Sequence, residues 1–266
     1  DGLITDRDDG VEVRDLIGSA YAKADTFGGK LAHRLQVNHN RNDVEARTAG
    51  AQSSDSTGTR TAVKYQGTVS LDADTLSPAD HSLTLAAEWE RETFENNDAR
   101  FVFDPSQLDE QERTLYGLIA DYQGTFFDMF NLQAGLRHDF NDDFEDATTF
   151  SLGASYILDD TGTRFHASGG RAVQNPTLID QFGFIPGTFQ GNPDLEPEES
   201  IGWDVGVEQP FFDDRVVVDV TYFRQKLENE IVTVFPPPTF IAFTENQDGE
   251  SKRQGVEVSL SANPIR

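Results

Sequence analysis

The amino-acid sequence predicts an all-β fold, an antiparallel up-and-down transmembrane β-barrel, on three observations. Segment after segment alternates apolar with polar residues, the connections between segments alternate short with long, and phenylalanines gather at short connections. Successive strand side chains point to opposite faces, so alternation means one face in apolar and one in polar surroundings.

The elements follow in order. After a weaker strand near 11–25, "KLAHRLQVNHN" sets Leu31, His33, Leu35 and Val37 against Ala32, Arg34, Gln36 and Asn38. "AVKYQGTVSLD" sets Val63, Tyr65, Val69 and Leu71 against Lys64, Gln66, Thr68 and Ser70, and "HSLTLAAEWE" opposes Leu83, Leu85, Ala87 and Trp89 to Thr84, Glu88 and Glu90. Tyr116, Leu118, Ala120 and Tyr122 continue the apolar row, then Leu132, Ala134 and Leu136, then Phe150, Leu152, Ala154 and Tyr156. Beyond a weaker strand near 163–173, the row runs through Ile201, Trp203, Val205 and Val207, then Val216, Val218, Val220 and Tyr222, and ends with Val256, Val258 and Leu260. The total is about eleven strands. On the opposite face fall Lys64, Gln66, Glu88, Glu90, Asp121, Gln133, Arg137, Asp204, Glu208 and Asp219. In a barrel wall, Tyr116, Leu118, Tyr122, Ile201, Trp203, Val205, Val207, Val216, Val218 and Val220 face lipid, and the charged row lines a wet lumen.

Connection length carries the distinction from a soluble sandwich. The short set is "DTFGG", "DADTLSPAD", "GTFFDMF", "LDDTG" and "PFFDD"; the other set spans 40–60, 93–113, 140–148, 174–200 and 225–253. Tight turns on one rim and long loops on the other are the pattern of an outer-membrane barrel, whereas Greek-key crossings impose no such regularity. Phe126, Phe127, Phe130, Phe211 and Phe212 fall on the short-turn rim, where aromatic rings meet lipid headgroups.

Composition agrees. The chain has 266 residues, a net charge of −26, no cysteine and twenty phenylalanines, yet its mean hydropathy is −0.52. Many aromatics in a polar chain fit strands that are oily on one side only. No apolar run reaches the roughly 18 residues of a membrane helix, and the acidity excludes nucleic acid as a partner, because phosphate binding needs clustered Lys and Arg. The opening "DGLITDRDDG" is polar, without initiator Met or hydrophobic leader, and reads as the interior of a longer protein.

Four ordered motifs then resemble a known family. "SGGRAVQNPTLIDQF" carries a strand, Pro176 and a following "TL"; "GNPDLEPEES" carries Asn192, Pro193, Leu195, Pro197, Glu198 and Ser200 as "NP-x-L-x-PE-x-S". "VVVDVTYFRQKLENEIV" ends a strand in aromatics before an acidic stretch, and "KRQGVEVSL" carries Arg253, Gly255 and Glu257 as "R-x-GVE". Together they resemble the TonB-dependent outer-membrane receptors, importers of ferric siderophores and cobalamin, most strongly over 165–262. The resemblance implies one partial barrel domain over 1–266, about eleven of about twenty-two strands, without the plug domain. It implies residence in the bacterial outer membrane amid lipid and lipopolysaccharide, a metal-chelate ligand, and coupling to the TonB complex through the missing N-terminal plug. The motif residues are expected to be mainly structural, since proline stiffens a chain that cannot join a ladder.

Other chemistry is sparse. His33, His39, His81, His138 and His166 are scattered without metal-ligand spacing, and the Gly-Gly pairs lack phosphate-loop spacing, so an enzyme is not expected. "DFNDDFEDA" offers Asp139, Asp142, Asp143, Glu145 and Asp146 as a candidate loop-bound Ca²⁺ site, the one metal or cofactor considered; it lacks the glycine-pivoted calcium-loop spacing, and a solvated acidic loop is the simpler reading. "VFPPPTF" is a stiff polyproline-like element of an outer loop. An anionic ferric chelate needs local cations, for which Arg137, Arg171 and Arg224 are the candidates. Two alternatives stand beside the receptor: a soluble or surface-attached β-rich binding module of lectin-like kind, and a passive porin.

Overall fold

The computed structural model describes residues 8–72, 80–97, 109–185 and 187–262. Most of the "DADTLSPAD" connection, the middle of the 93–113 connection and the terminal "NPIR" lie outside the described residues. Eleven strands form one antiparallel sheet: β1 (Gly10–Thr26), β2 (Leu31–Thr48), β3 (Ala51–Asp72), β4 (Asp80–Asn96), β5 (Gln111–Phe126), β6 (Phe130–Asn141), β7 (Ala147–Leu158), β8 (Thr163–Gln174), β11 (Glu198–Phe211), β12 (Val216–Glu228) and β15 (Glu250–Ala262). Each strand pairs with the next along the chain, and β1 and β15 are the open edges. A second, four-stranded sheet of β13 (Ile231–Val234), β14 (Ala242–Asn246), β10 (Phe189–Gln190) and β9 (Phe184–Ile185) is built from the β8–β11 and β12–β15 connections. The one described α-helix, α1 (Leu178–Phe182), is far too short to cross a membrane.

Register joins the single-strand patterns into one surface. Val69 faces Leu31 and Leu83, Leu83 faces Tyr122, Tyr122 faces Ala134, and Ala134 faces Leu152. Farther along, Val207 lies between Phe165 and Val220, and Val220 faces Val258. Because directly paired residues project from the same side, every strand places its apolar row on one continuous face. The face is uncovered: Leu85, Tyr116, Leu118, Leu136, Leu152, Trp203, Val205 and Val256 are all exposed. His33 sits within it, bonded to the Tyr65 hydroxyl at 2.7 Å and to Thr26 Oγ1 at 2.9 Å.

The buried apolar residues are few, namely Ala62, Ala86, Phe94, Leu178, Leu195 and Pro176, and four of the six lie where α1 and its flanks meet the outer part of the sheet. The main sheet is thus a single layer without a core of its own. An apolar face of this extent in water would be a large interaction patch.

The alternation of connection length needs two corrections, the first being that the modest 140–148 connection is only the five residues 142–146, as short as the turns of the opposite rim. Second, residues 40–60 are not a long loop: β2 and β3 run through them as an extended hairpin closed by the two-residue turn Ala49–Gly50. The strand pairing persists into "NHNRNDVEART" and "SSDSTGTRTA", but with polar and threonine side chains on both faces, which reads as loop when hydropathy is the guide. At the opposite rim, Phe27, Phe127 and Phe212 open three short turns with φ of 53°, 55° and 58°. All three rings are exposed.

One close approach constrains the sheet. A Cβ on Gly170 would lie 2.6 Å from the Phe150 carbonyl oxygen, a backbone atom that cannot swing aside. Gly170→Ala is therefore expected to cost about 1–3 kcal/mol, read as a lower transition temperature of the heat-modifiable band in the complete protein.

Candidate functional site

The β8–β11 and β12–β15 connections do not hang free, and the first folds back over the polar face. α1 starts at a capping box in which Thr177 Oγ1 accepts from the Asp180 N–H and the Asp180 carboxylate accepts from the Thr177 N–H, both at 3.1 Å. This is the arrangement that satisfies the free N–H groups of a first turn. Before it, Pro176 is fully buried, and its carbonyl accepts from Arg113 at 2.9 Å. The Asn96 amide donates to the Phe182 carbonyl at 3.1 Å, holding the far end of α1 against β4. Between this roof and β2–β4 lies a cavity of about 440 Å³, lined by Asn40, Asn42, Arg60, Glu92, Phe94 and Asn96 from the wall and by Leu178, Ile179, Phe184 and Phe189 from above.

The "NP-x-L-x-PE-x-S" residues join the roof to the second long connection. Asn192 donates its N–H to the Asp180 carbonyl at 2.8 Å, and its side chain accepts from the Asp194 N–H at 3.0 Å. The Pro193 carbonyl accepts from Gln181, and Leu195 is buried. Beyond Pro197, the Glu198 carboxylate accepts from the Ile231 N–H at 2.6 Å. In return Asn246 accepts from the Glu196 N–H at 2.8 Å and donates to the carbonyls of Glu196 and Asn229 at 2.9 and 2.8 Å. Thr244, also buried, donates to the Asp180 carbonyl at 2.7 Å, and β10 pairs in parallel with β14. Two connections far apart in sequence thus share one sheet and one hydrogen-bond network. Ser200 lies on the polar face of β11, opposite Ala172 and Leu227. On β15 Arg253, Gly255 and Glu257 share the polar face, with the Phe223 ring against Gly255.

The wall under the roof is a charge ladder. Glu88, Glu90 and Glu92 project at alternate positions of β4. Arg137 binds Glu88 and Asp139, each at 2.8 Å; Arg60 binds Glu90 at 2.7 Å and reaches Glu92 at 3.7 Å; Arg113 binds Glu92 at 2.5 Å. Farther round, Arg164 pairs with Glu208 at 2.9 Å and His166 with Asp219 at 2.8 Å.

Three sequence expectations meet the geometry differently. The ten residues assigned to lipid share the apolar face. The three arginines do not gather: Arg137 is on the polar face, while Arg171 and Arg224 lie opposite Ile201 and Trp203 on the apolar one, near its long-connection end. The five loop acids are not drawn together as a calcium site either. Asp139 is bound by Arg137, Asp142 accepts from the Thr114 N–H at 2.8 Å, and Asp146 accepts from the Asn141 N–H at 3.1 Å. Burial, and next the Asp142 charge, push the Asp143 carboxyl above the ordinary range. Among the described residues no group of three or more acids or histidines is arranged to hold a metal. The sequence reading missed Arg113, Asn96, Phe94 and the α1 residues. Past Glu90 the alternation of β4 lapses: in "RETFEN" Phe94 stands on the polar face in line with Glu90 and Glu92, so hydropathy gives no sign of it.

A single-layer antiparallel wall, oily on one side and charged on the other with loops folded over the charged side, defines a segment of a membrane β-barrel. The chain belongs to the TonB-dependent receptor-like β-barrel family, whose model matches residues 4–264; this is a family of bacterial outer-membrane transporters rather than enzymes. It is 24% identical over 180 residues to the vitamin B12 transporter BtuB of Vibrio vulnificus (strain CMCP6), covering 67% of this chain and 27% of that protein. The fold is similar to that of the siderophore receptor PirA from Pseudomonas aeruginosa (TM-score 0.66, 21% identity, 94% of this chain and 51% of that one). It is likewise similar to PirA from Acinetobacter baumannii (TM-score 0.74, 16% identity, 96% and 43%). The chain thus spans about half or less of the length of these relatives.

The junction has a test. Asn246→Ala removes three hydrogen bonds and leaves the Glu196 and Asn229 groups without their partner, an expected loss of about 1–3 kcal/mol of local stability. Limited proteolysis of the complete protein should cut within 235–241 several-fold faster in the variant than in wild type.

Proposed function

We propose that the complete protein containing this chain is an energised outer-membrane receptor that captures a metal chelate, of the ferric siderophore or cobalamin kind, for uptake. The observation that carries this reading is the roofed cavity. Two outer connections joined into one unit stand over a polar wall, offering a ligand contacts from two sides at the mouth of a barrel. The names of the relatives support the same class of cargo. In this reading the apolar row faces membrane lipid and lipopolysaccharide, and the polar face lines the lumen. The barrel supplies walls and binding contacts, while energy arrives through a plug and the TonB complex.

The lipid assignment makes a sharp demand. An arginine at mid-height on the lipid face of a barrel costs about 2–4 kcal/mol, while one in the lumen costs little. Val205→Arg is expected to reduce the folded, heat-modifiable fraction in outer membranes strongly, whereas Gln133→Arg on the polar face leaves it near wild type. Equal assembly of the two variants would refute a lipid-facing Val205. Uptake is tested by deleting the gene and supplying single iron chelates or cobalamin as the sole source. Growth should fail on one of them and return with the complete gene.

A further inference from the structure

Over β8, β11, β12 and β15 the apolar face ends in ordered rows, two residues and so about 7 Å apart along each strand. The row of Val205 contains Tyr222 and Val256. Toward the long-connection end, the next row sets Arg224 between Trp203 and Gln254. The row beyond sets Ile201 between Arg171 and Lys226, with Lys252 outside them. Last come three carboxylates in line, Glu199, Glu228 and Glu250. In a chain of net charge −26, four cations thus stand together just above a pair of aromatic rings, Trp203 and Tyr222, 5.5 Å apart.

Ion pairing singles out one of the four. The other strand arginines of this face, Arg14, Arg41, Arg47, Arg91 and Arg171, are each bound by a carboxylate at 2.5 to 2.9 Å. Arg224 is exposed and has no carboxylate partner among the described residues. Both strands that flank it are present, so its neighbours on this face are set: Trp203, Gln254, Tyr222 and Lys226. Lys226 and Lys252 share the single Glu250 carboxylate, at 2.6 and 2.7 Å. Exposed pairs of this kind are weak, and a phosphate that takes a guanidinium in two parallel bonds competes with them. On the other side of Trp203, Gly169 puts no side chain between that ring and Leu152, which leaves a furrow in the apolar face below Arg171.

Building on the lipid-facing assignment above, we infer that Arg224, with Lys226 and Arg171, binds the phosphates of an outer-leaflet glycolipid whose acyl chains lie along Leu152, Gly169 and Trp203. Cations over aromatic rings match the order of a leaflet, phosphate above hydrocarbon. The carboxylate row repels phosphate from any higher position, so the rows set depth as well as charge. From β8 to β15 the cations span three strand spacings, about 14 Å. That spread exceeds the single phosphate of a phospholipid and suits a headgroup carrying two.

Native mass spectrometry of the complete receptor in detergent, with bisphosphorylated lipid A as the probe, reads the site. Dephosphorylated lipid A, with the same acyl chains, should bind wild type about ten-fold or more weakly, an arm that needs no variant. Arg224→Ala should weaken the bisphosphorylated lipid at least five-fold with the heat-modifiable fraction unchanged. Arg41→Ala, whose guanidinium is held by Asp43 elsewhere on the same face, should leave it near wild type. Equal binding of the dephosphorylated lipid, or an affinity unmoved by Arg224→Ala, overturns the site. Phosphatidylglycerol binding as tightly as lipid A, or displacement of lipid A by millimolar inorganic phosphate, overturns the glycolipid as its occupant. The Val205→Arg and Gln133→Arg pair separates this from the parent reading. If Val205→Arg alone fails to assemble while lipid A binds without regard to phosphate, the wall faces lipid and lacks this site; equal assembly of the two removes both.

Discussion

The backbone of a single-layer sheet in lipid must satisfy all its hydrogen bonds within the ladder, because hydrocarbon offers none. Everything else in this chain follows from that constraint. Each strand of the main sheet pairs with the next, the ladder runs across eleven strands with a register shift between Ala46 and Arg47, and the side chains are sorted between two faces rather than into a shared interior. Trp203 and Asp204 are adjacent in the chain yet project from opposite faces, and at this level the next strand reverses the chemistry, with Arg224 beside Trp203 and Phe223 beside Asp204. A wall of one layer has no second sheet to cover its apolar face, which is why few of the described apolar residues are buried.

The one compact region serves the loops. Pro176, Leu178, Leu195 and Phe94 are buried where the roof meets the wall, and there the family motif does its structural work. Prolines 193 and 197 keep the segment out of the ladder. Asn192 and Glu198 satisfy backbone groups that a strand would otherwise have paired. The acid-rich stretch is a joint: Glu198 accepts from the Ile231 N–H, Glu196 from the Asn229 amide, and Glu199 pairs with Arg171.

Legibility in the sequence followed periodicity. The apolar rows from Leu31 to Leu260, the acids of the opposite face and the short turns were all readable, because a period of two is a local property. The hairpin through Ala49–Gly50 was not, since polar residues on both faces erase the hydropathy signal although the backbone still pairs. The site was less legible than the fold. Arg113 and Asn96 matter through partners 63 and 86 positions away, Pro176 and Phe182, and no local pattern announces such contacts. Conversely three of the "DFNDDFEDA" acids that look like a cluster in one dimension, Asp139, Asp142 and Asp146, each answer a different donor.

The three phenylalanines at the short turns carry a last consequence. A bulky side chain in the left-handed backbone region costs about 1–2 kcal/mol, and Phe27, Phe127 and Phe212 all accept it while their rings contact little of the protein. Glycine at those sites would relax the chain at once. The twist makes sense when the ring's destination is the boundary between headgroups and acyl chains. On the receptor reading proposed above, that rim is a set of small keels, fixing how deep the wall sits and resisting vertical drift.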